Sequence, residues 1–147
     1  MYFGLSEDQI FFQDNVKKFL EDNAPIDVIR KIANEDDKKT KEDLHNGIIT
    51  LGIGNILIPE AYGGLGLDLL FATAVAQSLG EGIATLPFMG SYVMAPLVIK
   101  YGANEEQRNF YLNEMSKNNI CFSVGFSEFF GSRNQSELSF LNNKVNG

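Results

Sequence analysis

The chain is poor in the residues that hold metals and form disulfides. Its 147 residues include one cysteine, Cys121, and one histidine, His45. A single cysteine cannot form a disulfide within the chain, and neither residue has a second histidine or cysteine at ligand spacing for zinc. We therefore predict no metal site. A ligand or acid–base role for His45 stays open, but a surface side chain is the better interpretation.

Long apolar runs and clustered basic residues are also missing. No run approaches the roughly 20 apolar residues of a membrane-spanning helix, and the N-terminus lacks the cationic stretch and apolar core of a signal peptide. The formal net charge of −7 argues against a nucleic-acid partner, whose phosphates require clustered Lys and Arg. These absences predict a cytoplasmic protein with no membrane span and no nucleic acid. A hydrophobic content of 44% is sufficient for a packed core.

Helical patterns dominate the first part of the chain. Ser6 and Gln9 have the spacing of a capping box, and an apolar repeat typical of a helix follows them. Pro25 is expected to open a short second helix. Residues 34–41 are charged and are predicted to form a loop. Thr40, with Asp43 three residues later, is predicted to cap a third helix.

Three further helices are predicted before residue 119. Asp68 is expected to cap a fourth helix, rich in alanine, over residues 69–79. A fifth apolar segment covers residues 87–101, and Pro96 is expected to kink it. This segment is either part of the core or the wall of an apolar ligand pocket. Residues 104–107 form a second capping box, which opens a sixth helix.

Residues 56–67 contain a glycine-rich connection. Its sequence from residue 59 to residue 67 is PEAYGGLGL, with Gly63, Gly64 and Gly66. Glycines allow the positive φ angles of tight turns. The segment lacks the Lys-Ser/Thr ending of a phosphate-binding loop. From these residues alone it is predicted to be a tight connection that inserts apolar side chains into the core.

Residues 120–127 alternate strictly between large apolar and small side chains, which predicts a half-buried strand. Ile120, Phe122, Val124 and Phe126 share one face. The other face is small rather than charged, so it leaves room for a flat group. From periodicity alone, an ordinary strand with a solvated Ser/Gly face is the alternative. The sequence thus predicts a mainly α fold with about six helices in residues 1–118, followed by a β region over residues 119–147.

The motif at residues 59–67 resembles the P-E-x-Y-G-G-x-G signature of the acyl-CoA dehydrogenase family. Other features follow in the order that the family has, namely the S-E-D-Q start of the first helix, Leu-Gly-Glu at residues 79–81, the YGANEEQ run at residues 101–107, and a strand ending in Ser-Glu. The resemblance implies an N-terminal helical domain and the first strand or strands of a truncated middle β-domain. It also implies α,β-dehydrogenation of an acyl-CoA thioester, FAD as hydride acceptor, electron transfer to an electron-transferring flavoprotein, and a homo- or hetero-oligomer.

The resemblance also implies site residues. The backbone of Val124 and Phe126 would meet the pyrimidine edge of the flavin, and the Ser127 hydroxyl would approach flavin N5. Donors suit that place because negative charge develops on the reduced ring. Gly131 and Ser132 would lie near the pyrophosphate and the thioester. The candidate acyl-pocket residues are Thr85, Phe88 and Tyr92, expected one helical turn apart on one face.

The family's base is a carboxylate of a C-terminal domain, so we expect this chain alone to be inactive. Glu128 is interpreted as a strand-end charge and not as that base. Phe129 and Arg133 replace the family's usual Pro and Asp, which looks more like the branch with pimeloyl-CoA and steroid-side-chain dehydrogenases, some of them unlike-subunit pairs. A non-catalytic partner subunit and a helical protein-interaction module are therefore the alternatives.

Overall fold

A computed structural model describes residues 4–35, 37–118, 120–125 and 139–146. Six α-helices account for most of this part of the chain, as predicted. In chain order they are α1 (Glu7–Asn23), α2 (Ile26–Glu35), α3 (Lys38–Thr50), α4 (Leu69–Glu81), α5 (Ala95–Gly102) and α6 (Glu105–Asn118). None of the helices in these described ranges combines the length and the apolar composition that a bilayer crossing requires.

Helices α1 and α4 pack together at the centre of the larger core. Val16 and Leu20 of α1 and Val75 and Leu79 of α4 are almost fully buried there. The buried amide of Gln13 donates through Nε2 to the carbonyl oxygen of Ala74 at 2.9 Å, which satisfies a polar group that would otherwise be costly to bury. The predicted capping box of α1 is confirmed, with both hydrogen bonds between Ser6 and Gln9 present.

The predicted loop over residues 34–41 is wrong. Helix α2 continues to Glu35 and α3 begins at Lys38. Asp37 rather than Thr40 is the N-cap, because its carboxylate accepts hydrogen bonds from both the backbone N–H and the hydroxyl of Thr40, at 3.1 and 2.9 Å. Asp is among the strongly preferred N-cap residues. The charged composition of this stretch therefore concealed a helix boundary.

Asp37 makes a testable contribution to acid stability. Its hydrogen bonds to Thr40 and the ammonium group of Lys31 lower the pKa of the carboxyl from 3.8 to about 2. A depressed folded pKa stabilises the fold above pH 3.8, and this contribution disappears as the pH falls toward about 2. We expect Asp37→Asn, which keeps a capping side chain, to melt below the wild type at neutral pH and to converge with it near pH 2. A melting-temperature gap that is the same at both pH values would contradict this.

The fifth apolar segment forms two helical types. Residues Phe88–Met94 are a π-helix, which continues directly into α5. Pro96 is the second residue of α5 and directly follows the junction with the π-helix. The change of helix type thus comes just before Pro96, whereas the sequence predicted a single helix kinked at that residue. The wide π-helical turn is a feature that apolar periodicity alone does not distinguish.

A smaller core lies beside the larger one. It contains Ile58, Ala95, Leu112 and Met115, with Phe122 and Val124 packed against its side. Helix α6 reaches it through Leu112 and Met115, whereas Phe110 of the same helix is 62% exposed. The capping box at Asn104 and Gln107 is confirmed, with both hydrogen bonds formed.

The strands of the described chain lie later than predicted. Residues 120–125 are in no strand, since no backbone hydrogen bond joins them to another described residue. Strands β1 (Ser139–Leu141) and β2 (Lys144–Asn146) instead form an antiparallel hairpin. Asn142 and Asn143 join them with φ of 52° and 58°, the left-handed pair that two-residue hairpin turns need. The alternation at residues 121–125 thus indicates which side chains are half-buried. A β-strand also requires a neighbouring segment with which its backbone can form hydrogen bonds.

Candidate functional site

The glycine-rich connection folds back on the apolar run before it. Backbone N–H groups of Leu65, Gly66 and Leu67 donate to carbonyl oxygens of Asn55, Ile58 and Ile56, each at 2.8 Å. Ile56, Leu57 and Ile58 are buried, as the sequence predicted. Gly63 and Gly66 have φ of 82° and 62°, angles that glycine adopts without strain.

The same connection is hydrogen-bonded to helix α6. The hydroxyl of Ser116 donates to the carbonyl oxygen of Tyr62 at 2.6 Å. Gly64 is packed so closely on Ile58 that a Cβ atom there would overlap the Ile58 backbone. The motif at residues 59–67 therefore has a structural role in this fold. It packs a tight turn between the apolar run and α6, the helix that leads to residues 120–125.

Residues 121–125 place their two faces as the alternation predicts, but Ile120, predicted on the buried face, is 42% exposed. Phe122 and Val124 are half-buried against the smaller core, while Cys121, Ser123 and Gly125 are exposed. Phe122 also contacts the ring of Tyr111 edge-on, with ring centroids 5.6 Å apart. A Cβ atom on Gly125 would meet no other atom within 4 Å. The small face is open at Ser123 and Gly125 in the described part of the chain, whereas the Sγ atom of Cys121 is 3.0 Å from the hydroxyl oxygen of Tyr92.

Of the predicted cofactor-binding residues, only Val124 is in the described chain. Its half-buried side chain holds the segment on the helical core, and so its backbone is the part left for a ligand. Phe126, Ser127, Gly131 and Ser132 lie outside the described residues, as does Glu128. Their roles stay predictions.

Two of the predicted acyl-pocket residues line one cavity. Thr85 and Phe88 border a space of about 450 Å³ between the end of α4 and the start of the π-helix. Its other walls are apolar or small residues, among them Leu79, Ala84, Leu86 and Met89. Thr85 precedes the π-helix, so the expected regular spacing on one helix face is wrong for that residue. Its proposed role as a pocket residue does not depend on helix membership.

Tyr92 lies in a different place from the other two. It is only 4% exposed and does not line that cavity. Its hydroxyl oxygen is 2.6 Å from Nε2 of His45 and 3.0 Å from Sγ of Cys121. The ring lies against Gly54, where a Cβ atom would come within 3.3 Å of it. Three residues from α3, the π-helix and the 120–125 segment are thus joined by one hydrogen-bonded chain.

The hydrogen-bonded chain of His45, Tyr92 and Cys121 was not predicted from the sequence. Burial raises the pKa of the Tyr92 hydroxyl above 10.0, and the hydrogen bond and the charge of Cys121 raise it further. Tyr92 therefore stays protonated and bridges its two neighbours. His45 is half-buried and bonded rather than a simple surface side chain. No local sequence pattern predicts these contacts, because Tyr92 is 47 residues from His45 and 29 residues from Cys121 along the chain.

The family model described as "Acyl-CoA dehydrogenase, N-terminal domain" matches residues 6–119. An isobutyryl-CoA dehydrogenase of Dictyostelium discoideum is 29% identical over 122 residues, which cover 80% of this chain and 28% of the relative. The acyl-CoA dehydrogenase FadE26 of Mycobacterium tuberculosis is 36% identical over 73 residues, covering 48% and 17%.

A probable medium-chain specific acyl-CoA dehydrogenase of Caenorhabditis briggsae is 37% identical over 82 residues, covering 54% of this chain and 20% of the relative. The chain thus spans between 17% and 28% of the length of these relatives. No solved structure matches the chain significantly. Helix order, the docked glycine-rich motif and the family match agree with one another: the chain belongs to the acyl-CoA dehydrogenase family and carries its N-terminal helical domain.

Proposed function

We propose that this chain is the helical part of a flavin-dependent enzyme that dehydrogenates acyl-CoA thioesters between Cα and Cβ. We further propose an electron-transferring flavoprotein as electron acceptor and an oligomeric assembly, as the family resemblance implies. The observation that carries the proposal is the open, small face of residues 121–125 beside an apolar helical wall. The membership of the family supports the reaction class.

The open face suits a planar ring. Cys121, Ser123 and Gly125 are exposed, and the space above Gly125 is free of other atoms of the described chain. Phe122 and Val124 anchor the opposite face on the smaller core. When bound, FAD would supply the hydride acceptor. The role of this chain is to present backbone atoms and small side chains to the ring, while Phe122 and Val124 hold residues 120–125 against the smaller core.

The cavity beside Thr85 and Phe88 is the proposed place of the acyl chain. Its volume of about 450 Å³ is within the usual range of small-molecule pockets, and its walls are predominantly apolar, as such pockets require. Phe88 lines the cavity, and Tyr92, about one helical turn further on, contacts Cys121. The π-helix therefore connects the proposed acyl cavity with the proposed flavin face.

We propose no catalytic base among the carboxylates of this chain, because the resemblance assigns that role to a C-terminal domain. The boundary between the helical domain and the β region is proposed after residue 118, where α6 ends. Residues 1–147 alone are expected to be catalytically inactive, and their contribution is the shape of the pocket.

The test is the spectrum of the protein that carries this chain, purified natively with any chains that accompany it. We expect the yellow absorption of an oxidised flavin, and a change in that absorption when an acyl-CoA thioether is added. A protein that stays colourless after incubation with FAD would contradict the flavin assignment.

A non-catalytic partner subunit is the second candidate. Phe129 and Arg133, in place of the family's usual Pro and Asp, favour it, although both residues lie outside the described chain. This candidate predicts a colourless chain that co-purifies with a second dehydrogenase-like chain, and that second chain carries the flavin. A helical protein-interaction module predicts neither flavin nor a dehydrogenase-like partner.

A further inference from the structure

Ile83 has a backbone conformation that its side chain disfavours. Its φ is 53°, in the left-handed region, where a β-branched side chain crowds the following carbonyl. It lies two residues after the end of α4. Its N–H donates to the carbonyl oxygen of Gly80, and the N–H of Ala84 donates to the carbonyl oxygen of Leu79. Glycine or asparagine is the usual residue at such a position. The local backbone conformation therefore does not explain why isoleucine occupies this position.

The neighbouring glycine does not relieve this conformation. Gly82 has a negative φ of −86°, and a Cβ atom on it would come within 2.6 Å of Leu20 on α1. Packing against the Leu20 side chain thus favours glycine at residue 82, and residue 83 adopts the left-handed conformation. Because Ile83 is 56% exposed, its side chain is not part of the core. Neither core packing nor helix capping explains the isoleucine.

Ile83 lines two cavities. One is the proposed acyl cavity of about 450 Å³, which reaches from Phe88 to Ile83. The other has about 300 Å³ and lies between the end of α1, the start of α2 and the last turn of α4. The walls of the second cavity include the buried apolar residues Leu20, Ala24 and Ile29. Ile83 therefore belongs to the walls of both cavities and lies where they adjoin.

We propose that the second cavity receives the far end of a long acyl chain, and that the Ile83 side chain is the partition that limits its entry. The apolar walls suit an alkyl chain. Three charged residues border this cavity. Lys17 and Glu81 bond to each other at 3.0 Å, and Glu21 is exposed to solvent. This inference rests on the proposed function, since it concerns the chain length that the same site accepts.

The experiment measures affinities for octyl-CoA and hexadecyl-CoA thioethers, which carry no reactive thioester. The protein is wild type or Ile83→Gly, a change that removes the partition and suits the left-handed backbone. We expect the affinity for the hexadecyl thioether to rise about tenfold, because several more methylenes become buried, while the affinity for the octyl thioether changes by less than about twofold. Leu70→Ala is the matched control, because Leu70 is an exposed apolar residue of α4 that lines neither cavity.

The possible outcomes separate this inference from the proposed function. If both thioethers bind and Ile83→Gly leaves the ratio of their affinities unchanged, Ile83 is no partition and the inference is wrong. If neither thioether binds to any form of the protein, the proposed function is wrong, and the inference is wrong with it. A ratio that shifts equally in Leu70→Ala would also contradict the inference.

Discussion

Replacing Gly64 by alanine is expected to destabilise the helical domain strongly. The added Cβ atom would overlap the backbone carbonyl group of Ile58, and neither a side-chain rotation nor a small shift can relieve a clash with buried backbone. Ile58 is fully buried, so the connection must detach from the smaller core. We expect a loss of about 3 kcal/mol or more in the free energy of unfolding, measured by urea denaturation with far-ultraviolet circular dichroism.

The control is the same substitution at Gly80. This glycine lies inside α4, and a Cβ atom there meets nothing within 4 Å. Alanine favours a helix interior over glycine by about 0.5–1 kcal/mol, so Gly80→Ala is expected to be as stable as the wild type or more stable. Equal effects of the two substitutions would show that the glycine-rich motif is not closely packed.

Replacing Tyr92 by phenylalanine is expected to destabilise the protein by about 1–2 kcal/mol. The change keeps the ring against Gly54 but removes the hydroxyl that contacts both His45 and Cys121. A loss at the lower end would mean that water replaces the hydroxyl at these partly exposed partners. Tyr101→Phe serves as control, since Tyr101 is 76% exposed and surface changes of this kind stay within about 0.5 kcal/mol.

The Tyr92 variant should also respond differently to high pH. The folded pKa of Tyr92 lies above 10.0, so the unfolded chain loses this proton first. The contribution of Tyr92 to stability is complete below pH 10 and falls as the pH rises above it, by up to about 1.4 kcal/mol per pH unit. The gap between the wild type and Tyr92→Phe should therefore narrow above pH 10. A gap that is constant or that widens would contradict the burial of a neutral tyrosine.

Local signals predicted much of the fold. The pairs Ser6–Gln9 and Asn104–Gln107 each mark a true helix start, because the hydrogen bonds of a capping box involve residues only three apart. The alternation at residues 120–125 correctly placed Phe122 and Val124 on a half-buried face, although Ile120 of the same predicted face is exposed. These features depend on short stretches of chain, and the sequence contains all the information that they need.

Other features depend on contacts between distant residues. The strand predicted over residues 120–127 needs a partner that periodicity does not reveal. The bond from His45 to Tyr92 joins residues 47 positions apart, and the strain at Ile83 follows from the packing of Gly82 against Leu20. The charge at residues 34–41 predicts a loop, whereas α2 ends at Glu35 and Asp37 caps α3 from Lys38.

The central claim is that the small face of residues 121–125 stays open for a planar ligand, and Gly125→Phe tests it most directly. The new side chain enters free space, so the unfolding midpoint should not change, while the phenyl ring should block the face and prevent binding of the proposed FAD. Gly102→Phe is the matched control, because Gly102 ends α5 in equally open surroundings, and it should keep the flavin. A Gly125→Phe protein that folds normally and still binds FAD as the wild type does would contradict the account.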